Sequence, residues 1–285
     1  MAKGRELVGR IKTTENTRKI TRTMEMVATS KMKRAVDRVI AARPYATALT
    51  DVIANLYHPD LATSFPLLRQ PAEERKVAVV LLTSNRGLAG AFNSNLIKEG
   101  NHLVTTLEKG GAQVDLHVVG RKGIGFFKYI GRAMTRQRTD ITDRPSAEDA
   151  TSLVDALMQA FAAGELDAVY VVHSQFRSVL SAPPAGVKIL PVTPPSGGAT
   201  KDYLLYPSAE EILSTLLPAY VRNAVYRALV ETAAAEQAAR RTAMKNATDN
   251  AGEMISVLRR TYNRARQANI TQEIAEIVGG AAALD

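Results

Sequence analysis

A chain of 285 residues with 46% hydrophobic content and a mean hydropathy of −0.10 is able to bury a sizeable core, as one large domain or as a domain with an extended element. It contains no cysteine, which excludes disulfides, thiolate catalysis and Cys-ligated metals. No run of 18 apolar residues is present to span a membrane, and Met1-Ala-Lys-Gly-Arg-Glu6 lacks an apolar segment, so no secretory signal is expected.

The formal net charge is +9, and Met1–Arg43 carries nearly all of it: twelve Lys/Arg face only Glu6, Glu15, Glu25 and Asp37 there, a local +8. Such an arm implies an anionic partner, whether nucleic acid, acidic lipid or an acidic protein surface. Residues 4–57 contain a single proline, Pro44, and read as helix. Apolar side chains recur at helical spacing in patches: Leu7 and Ile11; Ile20, Met24 and Val27; Met32, Val36 and Val39; Leu49, Ile53 and Leu56. Polar residues such as Arg18 and Lys31 interrupt them, so the heptad is not clean. Pro44 is expected to kink the helix or begin a new one, because it removes a backbone donor and crowds the preceding turn.

The prolines of His58–Glu74 mark a linker. The pattern then changes. Val77–Thr83 is a continuous apolar run of strand length, followed by a helix over Phe92–Glu108 and a strand over Gln113–Gly120. A short helix over Lys122–Tyr129, a helix over Ser146–Ala163, a strand over Ala168–His173 and an edge-like strand over Val187–Val192 complete the series. The alternation predicts a parallel, Rossmann-like α/β sheet. Glycine and proline punctuate Pro191–Gly198. Pro207 and the capping box Ser208-Ala-Glu-Glu211 then open a second long helix, with Pro218 expected to kink its first turns.

After Pro218 there is no proline and, before Gly279, only Gly252. A helix of about 60 residues, roughly 90 Å, is too long for an ordinary globular domain. The organisation expected is therefore an N-terminal helix (1–57), an inserted α/β domain (76–195) and a C-terminal helix (208–285). Neither terminal helix is stable alone at that length, so the two are expected to pair as a long antiparallel coiled coil. A stripe at Ala235, Ala239, Ala243, Ala247 and Ala251 suits close approach, and its step of four makes it wind around the helix. Ile255, Leu258, Tyr262 and Ala265 continue at 3-4-3 spacing, then Ile270, Ile274, Ile277 and Ala281 at 4-3-4. The C-terminal helix outruns its partner. Its apolar excess around Ile270–Ala283 needs a sleeve from another molecule.

Little in the chain supports catalysis. His58, His102, His117 and His173 lie far apart, without metal-ligand spacing. Thr83-Ser-Asn-Arg-Gly-Leu-Ala-Gly90 sits between strand and helix, where phosphates often bind, but is neither GxGxxG nor a P-loop. Gly120-Arg-Lys-Gly-Ile-Gly125 lies later in the sheet, and no acidic residue stands where a ribose would need it. A tight strand-to-helix turn accounts better for Gly87 and Gly90. No catalytic, cofactor-binding or metal residue is assigned. Two other functions stay in view. A basic coiled-coil adaptor that binds nucleic acid through Met1–Arg43 predicts salt-sensitive binding, against which no aromatic precedes Tyr45 to stack on bases. A nucleotide-binding α/β enzyme predicts nucleotide binding by the isolated chain.

Several stretches carry a likeness across the whole chain: Ile20-Thr-Arg-Thr-Met-Glu-Met-Val-Ala-Thr-Ser-Lys-Met32, Arg43-Pro-Tyr45, Thr83–Asn93, Glu236-Gln-Ala-Ala-Arg240 and Met244-Lys-Asn-Ala-Thr-Asp-Asn250. Tyr262-Asn-Arg-Ala-Arg-Gln267 runs on into Ile270-Thr-Gln-Glu-Ile-Ala-Glu276, which matches a C-terminal signature. In these the chain resembles the gamma subunit of the F-type ATP synthase. Asn85 departs from the family, many members of which have Asp before Arg-Gly-Leu. The cysteine-bearing regulatory insertion of chloroplast members is also missing.

The resemblance implies a non-catalytic rotor shaft without cofactor, which couples ion-driven rotation of a membrane ring to ATP synthesis or hydrolysis. Its implied partners are a ring of three alpha and three beta subunits, the epsilon subunit and the c-subunit ring, with no nucleic acid. It implies membrane association through partners only, at the cytoplasmic face of the bacterial inner membrane. By similarity, polar contacts that carry torque fall at Met24, Arg240, Arg266, Gln267, Thr271 and Glu276. A smooth apolar bearing falls at Ile274, Ile277, Val278, Ala281 and Leu284. The basic N-terminal helix, through Lys31, Lys33 and Arg34, is expected to face acidic loops of beta.

Overall fold

Six of the seven residues in Lys76–Leu82 (β1) are buried, which is the burial of a strand covered on both faces. In the structure, a computed structural model, β1 is the centre of a five-stranded sheet. The structure describes residues 2–56, 64–193 and 208–282, with side chains described at 5–56, 64–193 and 208–278. Pro59, Gly198, Pro207 and Leu284, singled out above, lie outside the described residues, as do the side chains of Ala281 and Ala282.

The elements are α1 (Ala2–Leu56), a 3-10 turn (Pro66–Leu68), β1, α2 (Phe92–Lys109), β2 (Gln113–Val119), α3 (Arg121–Tyr129), β3 (Arg136–Arg138), α4 (Ala147–Ala162), β4 (Ala168–Ser174), β5 (Pro184–Leu190) and α5 (Ala209–Ala282). Two compact units divide the chain: Thr29–Ala239, and Met1–Ala28 together with Arg240–Asp285.

The sheet belongs to the first unit, with strand order β3-β2-β1-β4-β5. β1 pairs in parallel with β2 and β4, and β2 in parallel with β3. Side chains alternate along β1. Ala78, Val80 and Leu82 face a core completed by α4 and by Leu213, Leu217, Val221 and Val225 of α5, with Leu49 and Ile53 of α1. Val77, Val79 and Leu81 face the opposite core, with Leu96 and Val104 of α2, Phe127 of α3, and Ala234 and Ala238 of α5. Helices on both faces explain why the central strands read as unbroken apolar runs. A bidentate ion pair from Arg222 to Asp155, at 2.8 and 2.9 Å, joins α5 to α4.

Three expectations are corrected. The sheet is mixed, because β5 runs antiparallel to β4. The nine residues between them hold no helix, and a connection that short closes a hairpin where a parallel return needs a crossover. β3 escapes a pattern search because it is three polar residues long. Finally, of the two outcomes expected at Pro44 a new helix is excluded, because α1 runs through Pro44 as α5 runs through Pro218. Pro44 lies on an exposed stretch, where water is able to satisfy the carbonyl that its missing N–H leaves over. The C-terminal helix does open at its predicted cap: Ser208 Oγ accepts from Glu211 N at 3.2 Å.

His173, near the end of β4, gives this unit a pH dependence. Burial pushes its imidazole down to about 4. With the folded value below the unfolded one of about 6.5, the unfolded chain takes up the proton first as pH falls. The contribution is full above pH 6.5 and is lost between about 6.5 and 4, a loss of about 3 kcal/mol. Urea unfolding of the full chain across that range is expected to show the slope, and His173→Gln to flatten it. A wild-type slope retained by the variant would assign it to other groups.

Candidate subunit-contact surface

The second unit is a two-helix antiparallel coiled coil. Along α5, Arg240, Met244, Thr248, Ala251, Ile255 and Leu258 are buried, a 4-4-3-4-3 spacing, and Tyr262, Ala265 and Asn269 follow half-buried. Opposite them on α1, Leu7, Ile11, Thr14, Thr21, Met24 and Glu25 are half-buried and Ala28 is buried. The direction is fixed by cross-links: Arg259 Nη2 donates to Glu15 Oε1 at 2.7 Å, and Thr248 Oγ1 lies 2.8 Å from Thr21 Oγ1. A side chain at Gly252 would begin 3.5 Å from the Arg18 guanidinium, so glycine and arginine share one layer. Small and polar residues in the seam let the backbones approach. Of the winding alanine stripe, Ala251 is buried in this seam with Ala243 and Ala247 half-buried, while Ala235 and Ala239 belong to the Thr29–Ala239 unit.

This register moves two predicted seam residues outside. Ile20 and Val27 are 60% and 51% exposed, because Thr21 and Ala28 take the inward positions beside them. Met26 on α1, and Met254 and Val257 on α5, are also more than half exposed. These five form apolar surface on the outside of the coil that spacing alone did not single out. The signal was available in Leu7, Ile11 and Thr14, whose 4-3 step continues to Thr21, Glu25 and Ala28.

The residues assigned to torque fall in two settings. Arg240 is buried, at 8% exposure, and Met24 is half-buried, both within the seam. Arg266, Gln267, Thr271 and Glu276 are exposed on the last described turns of α5, where Glu276 Oε1 accepts from Gln272 Nε2 at 2.9 Å. Every residue from Ile270 to Val278 is exposed, including Ile274, Ile277 and Val278. An apolar helix end left open in this way marks a surface that another molecule covers. Of the three cations expected to face acidic loops, Lys31 is instead held by Asp143 Oδ2 at 2.6 Å. Lys33 and Arg34 are exposed, Arg34 donating to Ser30 Oγ at 3.0 Å.

The α/β unit uses its own groups where a nucleotide would need amides. At the start of α3, Arg121 N donates to Asn85 Oδ1 (3.1 Å), Lys122 N to the Ser84 carbonyl (3.1 Å) and Gly123 N to Thr83 Oγ1 (3.0 Å). The first-turn donors that would cradle a phosphate are thus already bonded. Asn85 also donates to the carbonyls of Thr139 and Ile141, both at 2.9 Å, so its amide joins three loops at the carboxyl ends of the strands. An aspartate could accept from Arg121 N but make neither donation. The Thr83–Gly90 loop closes as a turn through positive φ at Leu88 and Gly90, with Gly87 outside that region. Asn93 Oδ1 ties it back to Ser84 N at 3.0 Å. Among the described residues no three of His, Asp and Glu gather as a metal site, and no helix is long and apolar enough to cross a membrane.

The family model of ATP synthase matches residues 3–284. The ATP synthase gamma chain of Gemmatimonas aurantiaca is 67% identical over 288 residues, covering 100% of this chain and 99% of that one. The ATP synthase gamma chain of Frankia casuarinae is 45% identical over 290 residues, covering 98% and 97%. The fold is shared with a chain of the Euglena gracilis mitochondrial ATP synthase, at a TM-score of 0.67 and 20% identity, covering 99% of this chain and 95% of that one. A central-stalk chain of the Tetrahymena thermophila mitochondrial ATP synthase aligns at a TM-score of 0.58 and 24% identity, covering 80% and 99%. The coiled coil with its open apolar end, the mixed α/β sheet and these full-length matches agree: the chain belongs to the gamma-chain family of F-type ATP synthases.

Proposed function

We propose that this chain is the central rotor shaft of an F1Fo ATP synthase and is itself non-catalytic. The observation that carries this is the exposed apolar end of α5, Ile270–Val278, which needs a sleeve. A ring of three alpha and three beta subunits supplies it. In this reading the helices of 1–57 and 208–285 form the shaft, and the α/β domain of 76–195 rests on the c-subunit ring and holds epsilon. The protein is then peripheral to the membrane, through its partners, at the cytoplasmic face of the bacterial inner membrane.

The chemistry of the two regions fits different tasks. Ile274, Ile277, Val278, Ala281 and Leu284 present no directional hydrogen bonds, so a collar slides around them without bonds to break at each step. Torque needs contacts that form at one angle and not at the next, which Arg266, Gln267, Thr271 and Glu276 provide from exposed positions. Arg240 and Met24 act from within the seam, by holding the two helices in one rotational register. An asymmetric shaft offers each beta subunit a different face, so shaft angle and nucleotide affinity bias each other reciprocally. The bonded amides at the start of α3 support leaving nucleotide chemistry to the ring.

Mixing the chain with the alpha and beta subunits of its organism tests the proposal. A stoichiometric complex with ATPase activity is expected, and the isolated chain is expected to bind no nucleotide. Failure to assemble with ring subunits that accept a known gamma chain would overturn it.

A further inference from the structure

We infer that a cavity between α5 and the β4–β5 end of the sheet binds a small dianion of the phosphate class. The cavity, of about 490 Å³, lies within the Thr29–Ala239 unit, and none of the residues that bond the start of α3 lines it. Its walls include Arg43 of α1, Arg177 of the β4–β5 connection and Arg227 of α5, with His173, Phe176 and Glu231.

The charges around it do not balance. Glu231 forms an ion pair with Arg227 across 3.5 Å and is the one carboxylate in the lining. Among the described residues no carboxylate lies within 4.0 Å of Arg43 or Arg177. Lys188, also in the wall, is already neutralised by Glu74. Three guanidinium groups against one carboxylate leave a surplus of two positive charges, the charge of a phosphate dianion. Guanidinium forks match tetrahedral oxyanions bidentately.

A second observation points to an occupant. His173 is 7% exposed and lines the cavity, yet its buried Nδ1 has no hydrogen-bond partner. The nearest carboxylate oxygen, on Glu231, is 4.0 Å away, beyond hydrogen-bond reach. Buried polar atoms in native proteins are nearly always satisfied, and an oxyanion here supplies the missing oxygen. The cavity is larger than one phosphate, so the ligand is a hydrated phosphate or the phosphate group of a small ester.

Calorimetric titration of the full chain with inorganic phosphate, and separately with glycerol 3-phosphate, tests this at an ionic strength held constant with chloride. Saturable binding in at least one arm is expected, and the stronger arm identifies free phosphate or ester. Arg43→Gln and Arg177→Gln each remove an exposed side chain, so both variants should fold. Each is expected to weaken binding about tenfold, as loss of a charged hydrogen bond does. On saturation the His173 ring resonances should shift while those of exposed His102 stay still. No saturable binding in either arm, or binding unchanged in both variants, would overturn the inference. Neither outcome bears on the shaft assignment.

Discussion

Gly120→Ala is expected to destabilise the α/β unit by about 4 kcal/mol or more. A Cβ at Gly120 would lie 2.2 Å from the Thr83 carbonyl oxygen, 2.5 Å from its carbon and 2.6 Å from Thr83 Oγ1. Two of the three are backbone atoms, which cannot rotate away. They are also fixed from both sides, because Thr83 N donates to the Val119 carbonyl and Gly120 N to that of Arg138, each at 2.8 Å. Residue 120 has φ of 97°, where an L side chain is strained. Left-handed strain costs about 1–2 kcal/mol, overpacking about 1–3, and each hydrogen bond opened to relieve it about 1. Gly125, five residues along the chain in α3, has nothing within 4 Å of an added Cβ. Gly125→Ala should therefore stabilise, by about 0.5–1 kcal/mol, since alanine is the better helix former. Urea midpoints of the two variants should move in opposite directions. Equal midpoints would mean that the junction of β1 and β2 is looser than its geometry.

That junction also shows where a sequence stops being legible. β1 and β4 could be found because helices cover both of their faces, which demands continuous apolar runs. The direction of β5 lies in the length of a hairpin, and β3 in three polar residues whose role is edge pairing; neither has a hydrophobic period. Inside the coil the usual rule inverts. Thr21 and Ala28 turn inward because they are small, while Ile20 and Val27 stay outside. Apolar spacing identifies which residues need covering and is silent on whether the cover comes from the same chain. The end of α5 was readable for the opposite reason: the second long helix is longer than the first and carries aliphatic residues on to its end. The plugged start of α3 could not be read at all, since Thr83, Ser84 and Asn85 stop its amides through hydrogen bonds alone.

Replacing Ile270, Ile274 and Ile277 together by glutamine should leave the isolated chain as stable as before and weaken its complex with the alpha and beta subunits by two to three orders of magnitude. The 4-3 spacing puts the three side chains on one face of α5, at 47%, 56% and 72% exposure. They touch too little of their own chain to support it, and glutamine holds a helix at least as well as isoleucine. The change in the free chain should stay within about 0.5 kcal/mol, as for surface substitutions generally. In a sleeve the balance differs. Full burial of an isoleucine contributes about 1.5–3 kcal/mol, of which roughly half remains available at each position. The sum is about 3–4 kcal/mol, and each 1.4 kcal/mol is tenfold in affinity. Most of that should appear in the dissociation rate, where related interfaces differ. Tyr129→Gln on α3, which removes a side chain 89% exposed on the α/β unit, is the control and should leave the rate unchanged. If the triple variant held the ring as tightly as the wild type, the apolar end of α5 would not be sheathed by it. The shaft would then have to be gripped along Ile20, Met26, Val27, Met254 and Val257, the apolar flank that the coil leaves outside.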